Sequence, residues 1–154
     1  MKYLSILLFF LLSLNAAVAQ TENQNENYDS TLAVQYGADD YGMKSYIFVM
    51  LKSGPLKSDD KAFNDSCFVG HMANINLLVE QGKMIIAGPM GPNDNTYRGI
   101  FILDVKTKEE ALELLKGDPA ISSGLLAADL YEWYGSAALP AYLEDSDKIW
   151  KTNP

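Results

Sequence analysis

The stretch Ser45 to Lys52 (SYIFVMLK) constrains this chain more than any other. Its side chains alternate between two faces, and both faces are apolar: Tyr46, Phe48 and Met50 on one, Ile47, Val49 and Leu51 on the other. A strand of this kind has to be covered on both sides, because burial of apolar surface is what drives its packing. Whatever sheet it joins must therefore be sandwiched.

The elements that follow suggest one cover. Phe63 to Glu80 reads as a helix stopped by Gly82, with Phe68, Met72, Ile75 and Val79 as its apolar stripe at 100° per residue. Lys83 to Ala87 (KMIIA) predicts a second strand, ended by Gly88-Pro89, and Gly88 to Gly99 reads as a hairpin loop. Ile100 to Val105 (IFILDV) predicts a third strand, again apolar on both faces apart from Asp104. Thr107 to Lys116 is a helix opened by a capping box, Thr107 with Glu110 three residues on. Gly117-Asp118-Pro119 breaks it, and Leu125 to Tyr134 predicts the fourth strand. The order β-α-β-β-α-β is that of a split β-α-β unit, so the expected class is α+β, a ferredoxin-like antiparallel sheet with its helices on one face. The other face then needs its own cover. A second copy of the chain packed sheet to sheet would supply it, and so would the C-terminal tail, with Leu139, Tyr142, Ile149 and Trp150.

The flanks are of different character. Met1-Lys2 precedes the apolar run Leu4 to Leu14, and Ala17-Val18-Ala19 has the small-x-small pattern of a signal cleavage site. Residues 1–19 are expected to be a signal peptide cut before Gln20, since the run is shorter than the roughly 20 residues a membrane span needs. The chain is expected to be exported, to the periplasm or outside the cell, without membrane insertion after cleavage. Residues 20–43 are polar, acidic and Asn-rich and read as a flexible arm. The folded domain is expected over 44–135, and 136–154 form a C-terminal extension.

Charge and composition exclude several function classes. Loss of residues 1–19 removes one Lys and no acid, which leaves 11 basic and 20 acidic residues and a formal charge of −9. Arg98 is the sole arginine. Binding to phosphate backbones needs clustered Lys and Arg, so a nucleic-acid partner is not expected. One His and one Cys cannot build the usual three- or four-ligand zinc site, and Cys67 has no partner in its own chain and reads as a small packing residue. The glycines of the Gly88–Gly99 loop lack a strand–GxGxxG–helix setting for a nucleotide. No cofactor is expected.

The chemistry then rests on few residues. His71 is the one side chain that titrates near neutrality without a special environment. Helical geometry places it about 70° from the centre of the apolar stripe, beside Cys67 and Leu78. It reads either as a boundary histidine bonded to a carbonyl or as an acid–base group. Asp118, between Gly117 and Pro119, reads either as the N-cap of a short turn or as the acceptor that fixes the tautomer of His71. Arg98 reads as a solvated loop residue or as a clamp for a carboxylate or phenolate. Tyr131 and Trp133 share a face of the last strand, as core, interface or the wall of an aromatic pocket.

The stretches HMANINLLVEQGKMIIAGP (His71 to Pro89) and DPAISSG (Asp118 to Gly124) resemble the two motifs of the YCII-related family. These are a helical His followed by a Gly before a strand ending in Gly-Pro, and an Asp-Pro followed by a Gly entering the last strand. The likeness covers roughly Ser45 to Tyr134. It implies a ferredoxin-like fold paired into a dimeric α+β barrel, and an active site that joins His71 to Asp118. One branch of the family resembles enzymes acting on chlorinated hydroxyquinols, and related barrels isomerise lactones. The implied reading is a small enzyme doing acid–base chemistry on a cyclic or aromatic molecule. Its pocket would be framed by the first helix, Gly88-Pro89 and the last strand, with Arg98, Tyr131 and Trp133 as further binding residues. The alternative is a non-catalytic ligand-binding or stress-related module of the cell envelope.

Overall fold

A computed structural model describes residues 25–152, and the expected signal peptide lies outside them. The elements run α1 (Ser30–Tyr36), β1 (Met43–Ser53), α2 (Lys61–Glu80), β2 (Met84–Pro89), β3 (Tyr97–Leu103), α3 (Lys108–Leu115), α4 (Pro119–Ser122) and β4 (Leu126–Ser136). A 3₁₀ turn at Leu139–Tyr142 and a short helix, α5 (Leu143–Ser146), follow. Within the stretch expected to be an arm, α1 is helical, started by Asp29 Oδ1 accepting from the Thr31 and Leu32 amides, and it buries none of its residues.

The four strands form one open antiparallel sheet in the order β2-β3-β1-β4. This is the ferredoxin-like α+β arrangement, with the doubly apolar strand in the interior, where the sequence requires it. Val49 lies opposite Phe101 on β3 and Leu130 on β4. On the helix face Ile47, Val49 and Leu51 join Phe101, Leu103, Leu78 and Leu115 in the main core. Each large apolar side chain fully buried there contributes roughly 1.5–3 kcal/mol.

Local signals place the helices. Asp60 caps α2 through the Phe63 amide, and Gly82 follows its end at φ +66°. Thr107 Oγ1 accepts from the Glu110 amide at 3.1 Å, as the capping box predicts. The inner face of α2 differs from the predicted stripe. Cys67, Asn74 and Leu78 are buried, Ile75 and Val79 pack partly against the core, and Phe68 is 46% exposed. The stripe was misplaced because a polar residue, Asn74, holds a core-facing position that apolar counting cannot mark.

The second face of the sheet is covered in part. Tyr46, Ile85 and Ile102 form a smaller buried cluster, against which Phe48, Ile86 and Leu139 pack. Leu139 and Tyr142 of the tail thus take up one end of this face, with the Tyr142 hydroxyl donating to the Ile85 carbonyl. Ile149 and Trp150 are exposed. Along β4 Tyr131 and Trp133 stay exposed beside the deeper rings of β1, with the half-buried Phe48 6.3 Å from Tyr131 and the buried Tyr46 5.7 Å from Trp133, centroid to centroid.

Tyr46 is fully buried and donates its hydroxyl to the Ser136 carbonyl at 2.8 Å. Desolvation, helped by the nearby Asp104 charge, pushes its pKa up to about 12. Between pH 10 and about 12 the unfolded chain gives up a proton that the folded chain keeps, so stability falls as pH rises through this window. Tyr46→Phe is expected to flatten that alkaline decline. Near pH 8 it should start about 0.5–1.5 kcal/mol lower, for the lost hydrogen bond. Melting temperature against pH reads both effects, and equal slopes for the two proteins would rule out Tyr46 as the cause.

Candidate functional site

Three local decisions bring the site together. The inner face of α2 carries His71 one turn after Cys67 and one turn before Asn74. The short α4 starts at Pro119, whose fixed φ suits the first helical position, and Asp118 is its N-cap, with Oδ1 accepting from the Ala120 and Ile121 amides at 2.9 and 3.3 Å. Gly70 then lets α2 approach α4. A Cβ at this position would stand 2.5 Å from Pro119 Cγ. Glycine within a helix costs up to about 1 kcal/mol against Ala, and here its missing side chain allows the approach.

The outcome is a short hydrogen bond, His71 Nδ1 to Asp118 Oδ2 at 2.6 Å. The carboxylate is inaccessible to solvent, while the imidazole keeps 12% of its side-chain surface exposed. Asp118 makes two contacts at once: Oδ1 caps the helix and Oδ2 meets the histidine. An ionised carboxylate only accepts, so opposite an ionised Asp118 the neutral imidazole carries its proton on Nδ1 and its free lone pair on Nε2. Nε2 has no hydrogen-bond partner among the described residues, and the imidazole keeps part of its surface open to solvent. Phe101 lies behind the imidazole at 5.8 Å and 30°, and Phe68 meets it edge-on at 6.0 Å and 81°. Chemically, this is an oriented base with an open nitrogen in an apolar setting.

The other candidates do not converge on this pair. Gly88 and Pro89 end β2, one and two residues beyond Ala87, which pairs with Phe101. Arg98 is exposed at the start of β3 and donates from Nε to Ser53 Oγ at 2.7 Å. Tyr131 and Trp133 sit across from Phe48 and Tyr46, on the sheet face opposite the helices. A single pocket uniting Tyr131 and Trp133 with His71 is therefore corrected: strand alternation sends residues 131 and 133 away from the dyad. Phe101 and Gly70 are the neighbours that sequence reasoning missed. Phe101 had the signal of an apolar residue in a central strand, whereas Gly70 carried none beyond an unexplained glycine in a helix.

Among the described residues no helix is long and apolar enough to cross a membrane. No curated protein matches the chain. A solved structure of 5-chloro-2-hydroxyhydroquinone dehydrochlorinase from Burkholderia phenoliruptrix AC1100, in complex with 2,5-dihydroxybenzoquinone, is similar at 18% identity. That similarity covers 56% of this chain and 92% of the other, with a TM-score of 0.41. The family model for the YCII-related domain matches residues 63–133, from the first turn of α2 to β4, and takes in both His71 and Asp118. Residues 63–133, a little under half of the chain, are thus similar to the YCII-related domain.

Proposed function

We propose that this protein is a small enzyme that moves a proton on a cyclic or aromatic substrate, by isomerisation or elimination. The observation that carries the reading is the 2.6 Å bond from His71 Nδ1 to a fully buried Asp118, with Nε2 left open. His71 Nε2 removes a proton from a carbon or hydroxyl of the substrate. In an isomerisation it returns that proton to another atom; in an elimination the leaving group departs with its bonding electrons. Asp118 holds the ring and stabilises the imidazolium that forms. Turnover of a panel of chlorinated hydroxyquinols and small lactones by the purified protein tests the reading. A substrate turned over equally well by wild type and by His71→Ala would sink it. Ligand binding without turnover across the panel would favour a binding module, in which the His71–Asp118 bond is structural.

The proposed working form is a homodimer joined through the open sheet face. The support is the pair of exposed aromatics Tyr131 and Trp133 with the half-buried Phe48 beside them, next to the part that Leu139 and Tyr142 cover. Scattered apolar residues on a surface need no explanation, but a contiguous aromatic strip does. Light scattering should give twice the chain mass for wild type, and Tyr131→Glu should shift the population towards monomer. A wild-type monomer at micromolar concentration would remove the dimer from the proposal. Export, with cleavage before Gln20, belongs to the same reading, and the intact mass of the secreted product checks it.

A further inference from the structure

The imidazole of His71 is enclosed on two sides. Asp118 takes Nδ1, and Phe101, 2% exposed, closes the core side. Phe68 occupies a third side and is 46% exposed, although it touches a group otherwise drawn into the interior. Of the exposed apolar side chains on α2 (Phe63, Phe68, Val69 and Leu77) it is the one whose ring meets the imidazole. An aromatic ring left half in water beside an open, oriented nitrogen has the character of an unfilled stacking surface. Its π-face favours offset or edge-on partners at centroid separations of about 4.5–7 Å.

We propose that Phe68 is the substrate-binding residue that selects flat aromatic rings, by stacking them where a ring hydroxyl comes within reach of His71 Nε2. The proposal rests on the acid–base reading for its chemistry, but the ring contact itself can be measured separately. The spacing fits: residues 68 and 71 are three apart on one helix, hence neighbours on its surface. Phe101 cannot perform this task, being sealed behind the imidazole. Tyr131 and Trp133 cannot either, because they lie across the sheet.

The experiment uses the full chain and two probes with the same hydroxyl pattern, hydroquinone and cyclohexane-1,4-diol, titrated by NMR. Hydroquinone is expected to shift both the Phe68 and the His71 ring signals. Phe68→Ala should weaken its binding about fivefold to tenfold, the loss expected for one stacked aromatic pair. Phe68→Leu should weaken it nearly as much while keeping the apolar surface, and Phe68→Tyr should restore it. Cyclohexane-1,4-diol should bind weakly to all four proteins, with no dependence on residue 68. Equal hydroquinone binding by wild type, Phe68→Ala and Phe68→Leu, with His71 still shifted, would overturn the stacking role and leave the acid–base reading standing. Absence of any shift at Phe68 would overturn it as well. Stacking that depends on Phe68 in a protein whose turnover is unaffected by His71→Ala would sink the acid–base reading alone.

Discussion

Asp118→Asn is expected to abolish activity about as completely as removal of His71 itself, although Asp118 touches no substrate. An Asn at this position still caps α4, because its carbonyl oxygen can accept from the Ala120 and Ile121 amides as Asp118 Oδ1 does. The fold should survive. What changes is the atom that faces His71: an NH₂ group donates, so Nδ1 must become the acceptor and the ring proton moves to Nε2. The open nitrogen then carries a hydrogen where a base is needed. A positioned acid–base group contributes about 10²–10⁴-fold in rate, and loss of the correct tautomer should forfeit most of it. kcat/KM for any substrate found, with ¹⁵N shifts of the imidazole to report the tautomer, checks both parts. Unchanged turnover with the tautomer switched would show that Nε2 is not the reacting atom. Asp118→Ala is the contrasting case: it loses the cap as well and should be less stable by roughly 0.5–2 kcal/mol on that account.

The largest loss of stability is expected from Gly54→Ala, a substitution that adds one methyl. A Cβ on Gly54 would lie 2.0 Å from the Gly124 carbonyl oxygen and 2.9 Å from the Leu125 carbonyl carbon. Backbone occupies both positions, so no side chain can swing aside. The two strands of chain are also tied, by Gly54 N to Leu125 O at 2.8 Å and Leu56 N to Gly124 O at 3.0 Å. Relieving the clash breaks these bonds and separates the loop after β1 from the segment that leads α4 into β4. Overpacking of this kind costs about 1–3 kcal/mol and occasionally more. With two hydrogen bonds lost besides, the expected change is about 3 kcal/mol or above, a fall in melting temperature of more than about 10 °C. A shift below about 3 °C would mean that the loop yields easily. Because the displaced segment continues directly from α4, whose N-cap is Asp118, activity should fall further than the unfolded fraction explains.

Strand positions and type were legible because each strand carries a strong signal of its own, and the doubly apolar β1 had to be covered on both faces. The dyad was legible as two residues but not as a contact. What joins them is the absence of a side chain at Gly70, and sequence gives no sign of what an absent atom makes room for. The inner face of α2 was misjudged for a related reason: Asn74 is buried with its Nδ2 unpartnered, against the expectation that buried polar groups are paired. The tail was left open between two covers, and Leu139 and Tyr142 take up part of that face. Helical periodicity reports a face; it does not report which neighbour arrives there.

The order β2-β3-β1-β4 also bears on how the chain comes to fold. β3 and β4 do not pair with each other; each is held by β1, which lies outside the segment matched by the family. Residues 63–133 are thus a stretch of recognisable sequence without the strand that makes them a sheet, and alone they would leave β4 unpaired. On the ribosome β1 can pair with β3 once Leu103 has been made, but its other edge must wait for β4, since Met43 lies opposite Ser136. Closure between such distant positions slows folding, so completion of the sheet, and with it the lasting placement of Asp118, should be a late step in the folding of this domain.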